Sequence, residues 1–582
     1  MKCSDFIAMH LEELGIRCIF GYQGGSITHL VDSISKRPLL KYIQNYNEQA
    51  SSLCADAYAR LSKEKIGAAI ASNGPGATNL ITGIANAFCD SIPVLFLTGQ
   101  VHTYMMKKNN ELRQESFQEI DILNMVKSIT KYCVTIKDSR DIKFELDKAY
   151  HYATEGRPGP VLVDIPVDIQ GTEIDIDNLK GYLPDNVSNS TNLERKIEQV
   201  KEQLKCSKRP LILVGGGING GDLRKKLREI IKKLNIPVVV SLQGLDAINH
   251  YDECFIGFIG AYGNRYANLT VQNADFILIL GSRLDIRQTG KNREQFASNA
   301  YKVHVEIDES EINHTIHENL SINCDLNIFF NIFTDNLDAL ITDKWMNWLE
   351  VIKIWKNRYS DITGRTSDCK LEPYYLISKI GEKISGKVSI CSDVGQNQMW
   401  IAQVLRINSD EAKIINSGGL GTMGYSLPAG IAACYTNEYD KSICFMGDGG
   451  FQMNIQELCL IRDQQIPVKI FVLNNYSLGL IRQIHEKYYD DKCIGSIDGF
   501  SQPNFKDIAK AYHINYYEIT TVTDIDGLDN ILEDIKPYII NCKFSVRTGL
   551  SPELLGNDSL DNQLPYLCDD EKIRIQQELY GL

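Results

Sequence analysis

Between residues 441 and 475 the chain reads KSICFMGDGGFQMNIQELCLIRDQQIPVKIFVLNN, two short apolar runs separated by one segment of helical periodicity. Ser442 to Met446 and Val468 to Leu473 have the length of buried strands, and Ile455, Leu458, Cys459 and Arg462 recur at helical spacing between them. Pro467 marks the entry to the second run. The pattern predicts strand, turn, helix, strand, and a crossover of this length joins parallel neighbours through a right-handed connection. Both strands then end at one edge of a sheet. That edge gathers a carboxylate from Asp448, an amide oxygen from Asn475 and the free N–H groups of a helix start opened by Gly447, Gly449 and Gly450. Oxygen ligands of this kind suit Mg²⁺, which is held by one or two protein groups while a phosphate supplies further oxygens. A helix N-terminus is itself an anion site. Either half alone reads as a turn or a strand end, but placed together by one βαβ unit they describe a metal-bridged diphosphate.

Strand-like runs alternate with helical segments through most of the chain, so the expected fold class is α/β with parallel sheets. The 582 residues allow about two to four domains. Polar breaks near 172–190 and 345–370 divide the chain into blocks at 1–172, 190–345 and 370–545, followed by a tail at 546–582 expected to pack on the surface. The middle block carries Gly215, Gly217 and Gly220 after a strand and before a helix, a dinucleotide-type fingerprint. The acid expected at the end of the next strand is missing, because Val238–Val240 lead into Ser241. A nicotinamide cofactor is disfavoured, and both a plain glycine turn and a nucleotide-type ligand in another pose stay open.

A net charge of −13 argues against a nucleic-acid surface. Glu12 and Glu13 interrupt the N-terminal segment where a signal peptide needs an apolar core, and no apolar run approaches membrane-span length. The sixteen cysteines form no C-x-x-C pair. Reduced thiols in a cytoplasmic protein are expected.

Several further stretches resemble thiamine diphosphate (ThDP) enzymes of the acetolactate synthase type: FGYQGGSITHLVDSI, NEQASSLCADAYAR, SNGPGATNLITGIANAFCDSIPVLFLTGQ, FQEIDI, RPGPVLVDIP, YANLTVQNADFILILGSRLDIRQTG and SGGLGTMGYSLPAGIAA. The likeness runs to about residue 545. It implies three doubly wound parallel-sheet domains: one holding the cofactor's pyrimidine, a central one that often carries FAD, and a C-terminal one holding the diphosphate. It also implies at least a homodimer, or a homotetramer, because the domains clasping one ThDP come from different subunits.

On this resemblance Asp448, Asn475 and the Ser477 carbonyl match the Mg²⁺ ligands, and Gly447, Gly449, Gly450, Leu478 and Gly479 match the surrounding ThDP contacts. Val394, Gly395, Gln396 and Asn397 match a second diphosphate-binding strand end, with Asn397 standing where many relatives have histidine. Glu48, by itself a first-turn helix glutamate favoured by the macrodipole, matches the residue that activates the aminopyrimidine. Met423, by itself a core residue, matches the wedge that bends the two rings, beside the Gly421 carbonyl. Gly24 and Gly25 offer N–H groups near the reacting carbon, although Gln23 replaces the usual proline. Phe117 and Gln118 match substrate-facing positions. Arg157, Gly260, Gly263, Arg283, Asp285 and Arg287 lie in segments matching the FAD site, while Arg283 and Arg287 read equally as ion-paired surface arginines.

The implied activity is ThDP- and Mg²⁺-dependent decarboxylation of a 2-oxo acid such as pyruvate, with acyl transfer to a carbonyl acceptor. An ordinary acetolactate synthase and a simple decarboxylase releasing an aldehyde are the alternatives, and a non-catalytic binder has no need of Glu48. The chain departs from acetolactate synthases in carrying Val167 where they have lysine and Ile484 where they have tryptophan. A longer loop adds Lys107, Lys108 and Arg113. This loop reads either as a solvated basic segment or as the rim of a site for a larger acceptor, such as a nucleotide-linked keto sugar.

Overall fold

The computed structural model describes residues 1–581 apart from 110, 185–191, 221, 336, 341–342 and 363–370. Three parallel six-stranded sheets follow one another along the chain. The first holds β1 (Cys18–Gly21), β2 (Lys41–Gln44), β3 (Gly67–Ala71), β4 (Val94–Gln100), β5 (Tyr132–Thr135) and β6 (Val161–Pro166). The second holds β7 (Pro210–Val214), β8 (Val238–Val240), β9 (Phe255–Phe258), β10 (Phe276–Leu280), β11 (Tyr301–Glu306) and β12 (Leu320–Asn323). The third holds β13 (Val388–Ser392), β14 (Lys413–Asn416), β15 (Lys441–Gly447), β16 (Val468–Asn474), β17 (Asn515–Ile519) and β18 (Tyr538–Lys543). The central strands are apolar on both faces, as sheets covered by helices on both sides require.

The outer sheets share one strand order, β2-β1-β3-β4-β6-β5 and β14-β13-β15-β16-β18-β17. The central sheet runs β9-β8-β7-β10-β11-β12, the order of dinucleotide-binding folds. In each sheet the order reverses at one point, between β1 and β3, between β7 and β10, and between β13 and β15. Open α/β sheets bind ligands beyond the carboxyl ends of the strands at such reversals.

β15 and β16 pair from Ser442 with Val468 to Gly447 with Leu473, as the opening pattern predicts. Their crossover is not one helix. It runs as helix Asp448–Met453, a tight turn at Ile455–Glu457 and helix Leu458–Gln464. Asn454 makes the break, because its buried side chain donates to the Gly424 carbonyl at 2.8 Å and its backbone leaves helical geometry.

The first and third sheets share one hydrophobic core, in which Phe20, Tyr58 and Phe96 lie with Tyr425, Met446 and Val472. Helix Glu48–Leu61 packs on helix Ser426–Tyr435 there, and the Cys54 thiol reaches the Pro428 carbonyl at 3.2 Å. The expected breaks fall partly on residues 185–191 and 363–370, outside the described residues. The tail does more than cover a surface. Leu550, Leu560 and Ile575 enter the core, the Leu554 N–H donates to the Ala261 carbonyl at 2.7 Å, and Arg265 donates to the Pro565 carbonyl at 2.6 Å. Among the described residues no helix is long and apolar enough to cross a membrane.

Candidate active site

Asp448 follows β15 and Asn475 follows β16, so two adjacent parallel strands deliver both side chains to one edge. Asp448 is 1% exposed. Its Oδ1 accepts the Gly449 N–H at 2.9 Å, while among the described residues Oδ2 and the nearby Ser477 Oγ have no partner. Burial pushes the Asp448 carboxyl up to about 7, although the N–H groups of Gly449, Tyr476 and Ser477 oppose the shift. A buried unpaired oxygen costs about 1–3 kcal/mol, and a hard cation removes that cost. Asn475 commits its Nδ2 to Gln396 Oε1 at 2.9 Å, and Gln396 in turn donates to Gln483 Oε1 at 2.5 Å. The donor set thus fits Mg²⁺.

The other expected diphosphate-side residues converge here. A Cβ added to Gly449 would lie 2.7 Å from Leu478 Cδ2 and 3.2 Å from Met423 Cε, and one added to Gly479 would strike Gln396 and Asn475. Gly447 and Gly395 face Asn397, and Gly421 faces Val394. A Cβ on Gly450 would meet Asp393 Oδ2 at 2.9 Å. Asp393 itself escaped the sequence reading, although it directly precedes Val394. It accepts the N–H groups of Val394 at 2.7 Å and Gly424 at 2.9 Å, tying the Met423 loop to the β13 loop. Burial pushes its carboxyl up to about 7.

At the first sheet, Glu48 opens helix Glu48–Leu61, whose N-cap Asn47 accepts the Gln49 N–H at 2.7 Å. Glu48 is buried, and its Oε2 accepts Asn79 Nδ2 at 2.9 Å. A Cβ on Gly76 would lie 3.2 Å from Oε1, so the loop after β3 presses on the carboxylate. Gly25 starts the turn Gly25–Ile27 with open space at its α-carbon, and Gly24 packs against Ser72. Asn73 Nδ2 donates to the Gln118 carbonyl at 3.1 Å, which brings Gln118 to the same edge with φ +61°. Phe117 beside it is 85% exposed. Glu119, also missed, accepts the N–H groups of Lys107 at 2.5 Å, Glu115 at 2.9 Å and Ser116 at 3.0 Å, pinning the loop that carries Phe117. Among the described residues no hydrogen bond or ion pair within the chain joins Glu48 to the Asp448 group.

A buried network couples the two sheets. Tyr425 donates to Asp56 Oδ1 at 2.8 Å, Arg60 bridges Asp56 and Asp90, and Asp90 accepts the Gly418 and Gly419 N–H groups at 3.0 and 2.7 Å. The chain therefore links helix Glu48–Leu61 to the segment leading into Gly421 and Met423.

A cavity of about 610 Å³ lies at the strand-order reversal of the central sheet, within the range of small-molecule sites. Gly216 and Gly217 after β7 line it with Ser282 and Arg283 after β10. Arg157, Asp285 and Arg287 line it as well, together with Gln243 and Met399, which no motif flagged. Gly260 and Gly263 stand behind the wall, where the Gly263 N–H donates to the Gly260 carbonyl at 2.8 Å. Arg157 pairs with Asp308 at 2.8 Å and Glu311 at 2.7 Å, and Arg283 lies 3.8 Å from Asp285. The glycine-walled crevice with basic rims fits a nucleotide-type ligand such as FAD.

Residues 1–125 match the thiamine pyrophosphate enzyme N-terminal TPP binding domain, 197–332 the central domain and 393–542 the C-terminal TPP binding domain. The chain is 36% identical over 567 residues to the acetolactate synthase large subunit of Cyanidium caldarium, covering 94% of each. It is 34% identical over 576 residues to that of Lactococcus lactis subsp. lactis, covering 96% of this chain and 98% of the relative. It is also 31% identical over 542 residues to the acetolactate synthase isozyme 2 large subunit of Escherichia coli, covering 93% and 95%. With three ThDP-enzyme domains in order and this likeness over nearly its whole length, the chain belongs to the thiamine diphosphate-dependent enzymes of the acetolactate synthase type.

Proposed function

We propose that the protein decarboxylates a 2-oxo acid, pyruvate in the first instance, and transfers the acyl group to a carbonyl acceptor. The observation that carries this reading is the pair of orphaned buried oxygens on Asp448 and Ser477 beside the Asn475 amide, at the edge where a diphosphate and Mg²⁺ would lie. ThDP, when bound, supplies the electron sink for breaking the bond to carbon dioxide. Asp448, Asn475 and the Ser477 carbonyl would hold Mg²⁺, and the N–H groups after β13 and β15 would receive the diphosphate. Glu48, oriented by Asn79, holds a proton at its carboxyl for the aminopyrimidine. Met423, packed beside Gly449, would hold the cofactor's rings in place, and Gly25, Phe117 and Gln118 would orient the substrate and exclude water.

Glu48 and the Asp448 group sit on different sheets, and Phe117 is open to solvent in the single chain, which supports a homodimer in which each site takes one edge from each subunit. We propose the domain boundaries 1–172, 190–345 and 370–545 with a tail at 546–582, a division supported by the one sheet in each of the three blocks; FAD is the proposed occupant of the central cavity, and the fifteen free described cysteines support a cytoplasmic setting.

For the acceptor we infer a nucleotide-linked keto sugar. Val167 and the half-exposed Ile484 lack groups suited to a small 2-oxo acid, and the loop bearing Lys107, Lys108 and Arg113 ends at Phe117. Ordinary acetolactate synthesis is the second reading, favoured by the names of the relatives. The test is pyruvate turnover with ThDP and Mg²⁺, with and without a nucleotide-activated keto sugar. Faster pyruvate consumption with a sugar adduct is expected. Efficient acetolactate formation that ignores the sugar supports the second reading, and acetaldehyde as the main product overturns both.

A further inference from the structure

One part of the cavity wall is assembled from all three sheets. Lys65 comes from the turn before β3, Arg224 from the first turn of helix Leu223–Leu234, and Lys413 opens β14. Arg224 is engaged, donating to Asn219 Oδ1 at 2.5 Å and Asp246 Oδ1 at 2.6 Å. The other oxygen of Asp246 accepts the Ile414 N–H at 2.9 Å. The two lysines differ. Both are half-buried, and among the described residues neither ammonium makes an ion pair or a hydrogen bond.

Their surroundings are mostly of like charge. Lys65 faces Arg224, with Asp246, Glu438 and Glu64 opposing; Lys413 faces Arg224, Lys65 and Arg228, with Asp246 opposing. The opposing acids already have partners, since Asp246 pairs with Arg224, Glu438 with Lys63 at 2.9 Å, and Glu64 accepts the Tyr58 hydroxyl at 3.3 Å. Burial first, and then Arg224, hold both lysines below their ordinary range. Unpaired ammonium groups partly removed from water beside a fixed guanidinium destabilise the chain until an anion joins them.

We propose that Lys65, Lys413 and Arg224 form an anion site at the junction of the three sheets, taking a phosphate-class group that is either free phosphate or the phosphoryl end of a nucleotide. The residues are not those of the FAD reading, and the site stands whether or not a flavin fills the cavity. It gives the cavity a purpose that the glycine loop alone does not explain: one anion bridges the N-terminal, central and C-terminal sheets.

The experiment uses full-length enzyme saturated with ThDP and Mg²⁺, so that the Asp448 site is filled. Inorganic phosphate and ADP are titrated separately at constant ionic strength, with binding read by calorimetry and by the unfolding temperature. The variants are Lys65→Met with Lys413→Met, and Lys65→Arg with Lys413→Arg. Saturable binding that raises the unfolding temperature is expected in the wild type and the arginine variant, and the methionine variant should bind about tenfold or more weakly. Tighter ADP than phosphate identifies a nucleotide; equal affinity identifies free phosphate. Equal binding by the wild type and the methionine variant, or no saturable response in the wild type, overturns the site. A failure of the arginine variant to bind while folded also overturns it.

Discussion

The backbone N–H of Tyr46 donates to Glu457 Oε1 at 2.9 Å, and Asn45 Nδ2 donates to Oε2 at 2.9 Å. A carboxylate on the β15–β16 crossover therefore clamps the loop that leads into Glu48. Burial pushes Glu457 up to about 7 from 4.5, opposed by Asn45 and the Tyr46 and Asn47 N–H groups. The folded chain then holds this proton more tightly than the unfolded one. The resulting stability is fully present below about 4.5 and is lost as pH rises toward 7. Glu457→Gln should flatten the unfolding-temperature profile across that window, and Glu457→Ala should cost about 1–3 kcal/mol. A wild-type slope in the glutamine variant would assign the titration to another group.

Glu48→Gln should keep ThDP bound while lowering kcat by about 10²–10⁴-fold, because the amide keeps the size and the Asn79 contact but cannot hold the acid proton. Wild-type turnover in this variant would remove Glu48 from the chemistry.

Asp448→Ala should lose the cofactor rather than the chemistry alone. The deleted carboxylate includes the buried oxygen without a partner, and the diphosphate charge would be left uncompensated. Calorimetry with ThDP and Mg²⁺ checks this, and undiminished affinity contradicts the metal role.

Glu119→Gln should raise the KM for the 2-oxo acid about tenfold with ThDP affinity unchanged, since a loosened loop misplaces Phe117 and Gln118 without touching the cofactor edge. Burial alone would raise the Glu119 carboxyl, but the N–H groups of Lys107, Ser116 and Glu115 hold it below its ordinary value, so the loop is built around the anion. Equal loss of ThDP binding and substrate affinity would point to general unfolding instead.

FAD should copurify and give a yellow protein, and Arg287→Ala should lower flavin occupancy, because this cavity-lining guanidinium has no carboxylate partner among the described residues. A colourless, fully active wild type would leave the cavity to another ligand.

Local pattern determined much of this. Apolar runs of strand length, glycines at their ends and helical spacing between them announced parallel α/β units and the pairing of Asp448 with Asn475, because strand ends and helix starts are properties of a few consecutive residues. The motif segments likewise carried the family. Only the tertiary structure decided which strands became neighbours, giving the central sheet a different order from the outer two. It also broke the crossover at Asn454, because a buried amide found the Gly424 carbonyl, a partner that helical periodicity does not encode. Asp393, Glu119 and Glu457 gained their roles from backbone N–H groups on other turns and loops, and Lys65, in the turn before β3, shares a cavity with Lys413 of β14. Such contacts depend on how separate elements pack, and packing energies are summed over residues that no short window of sequence contains.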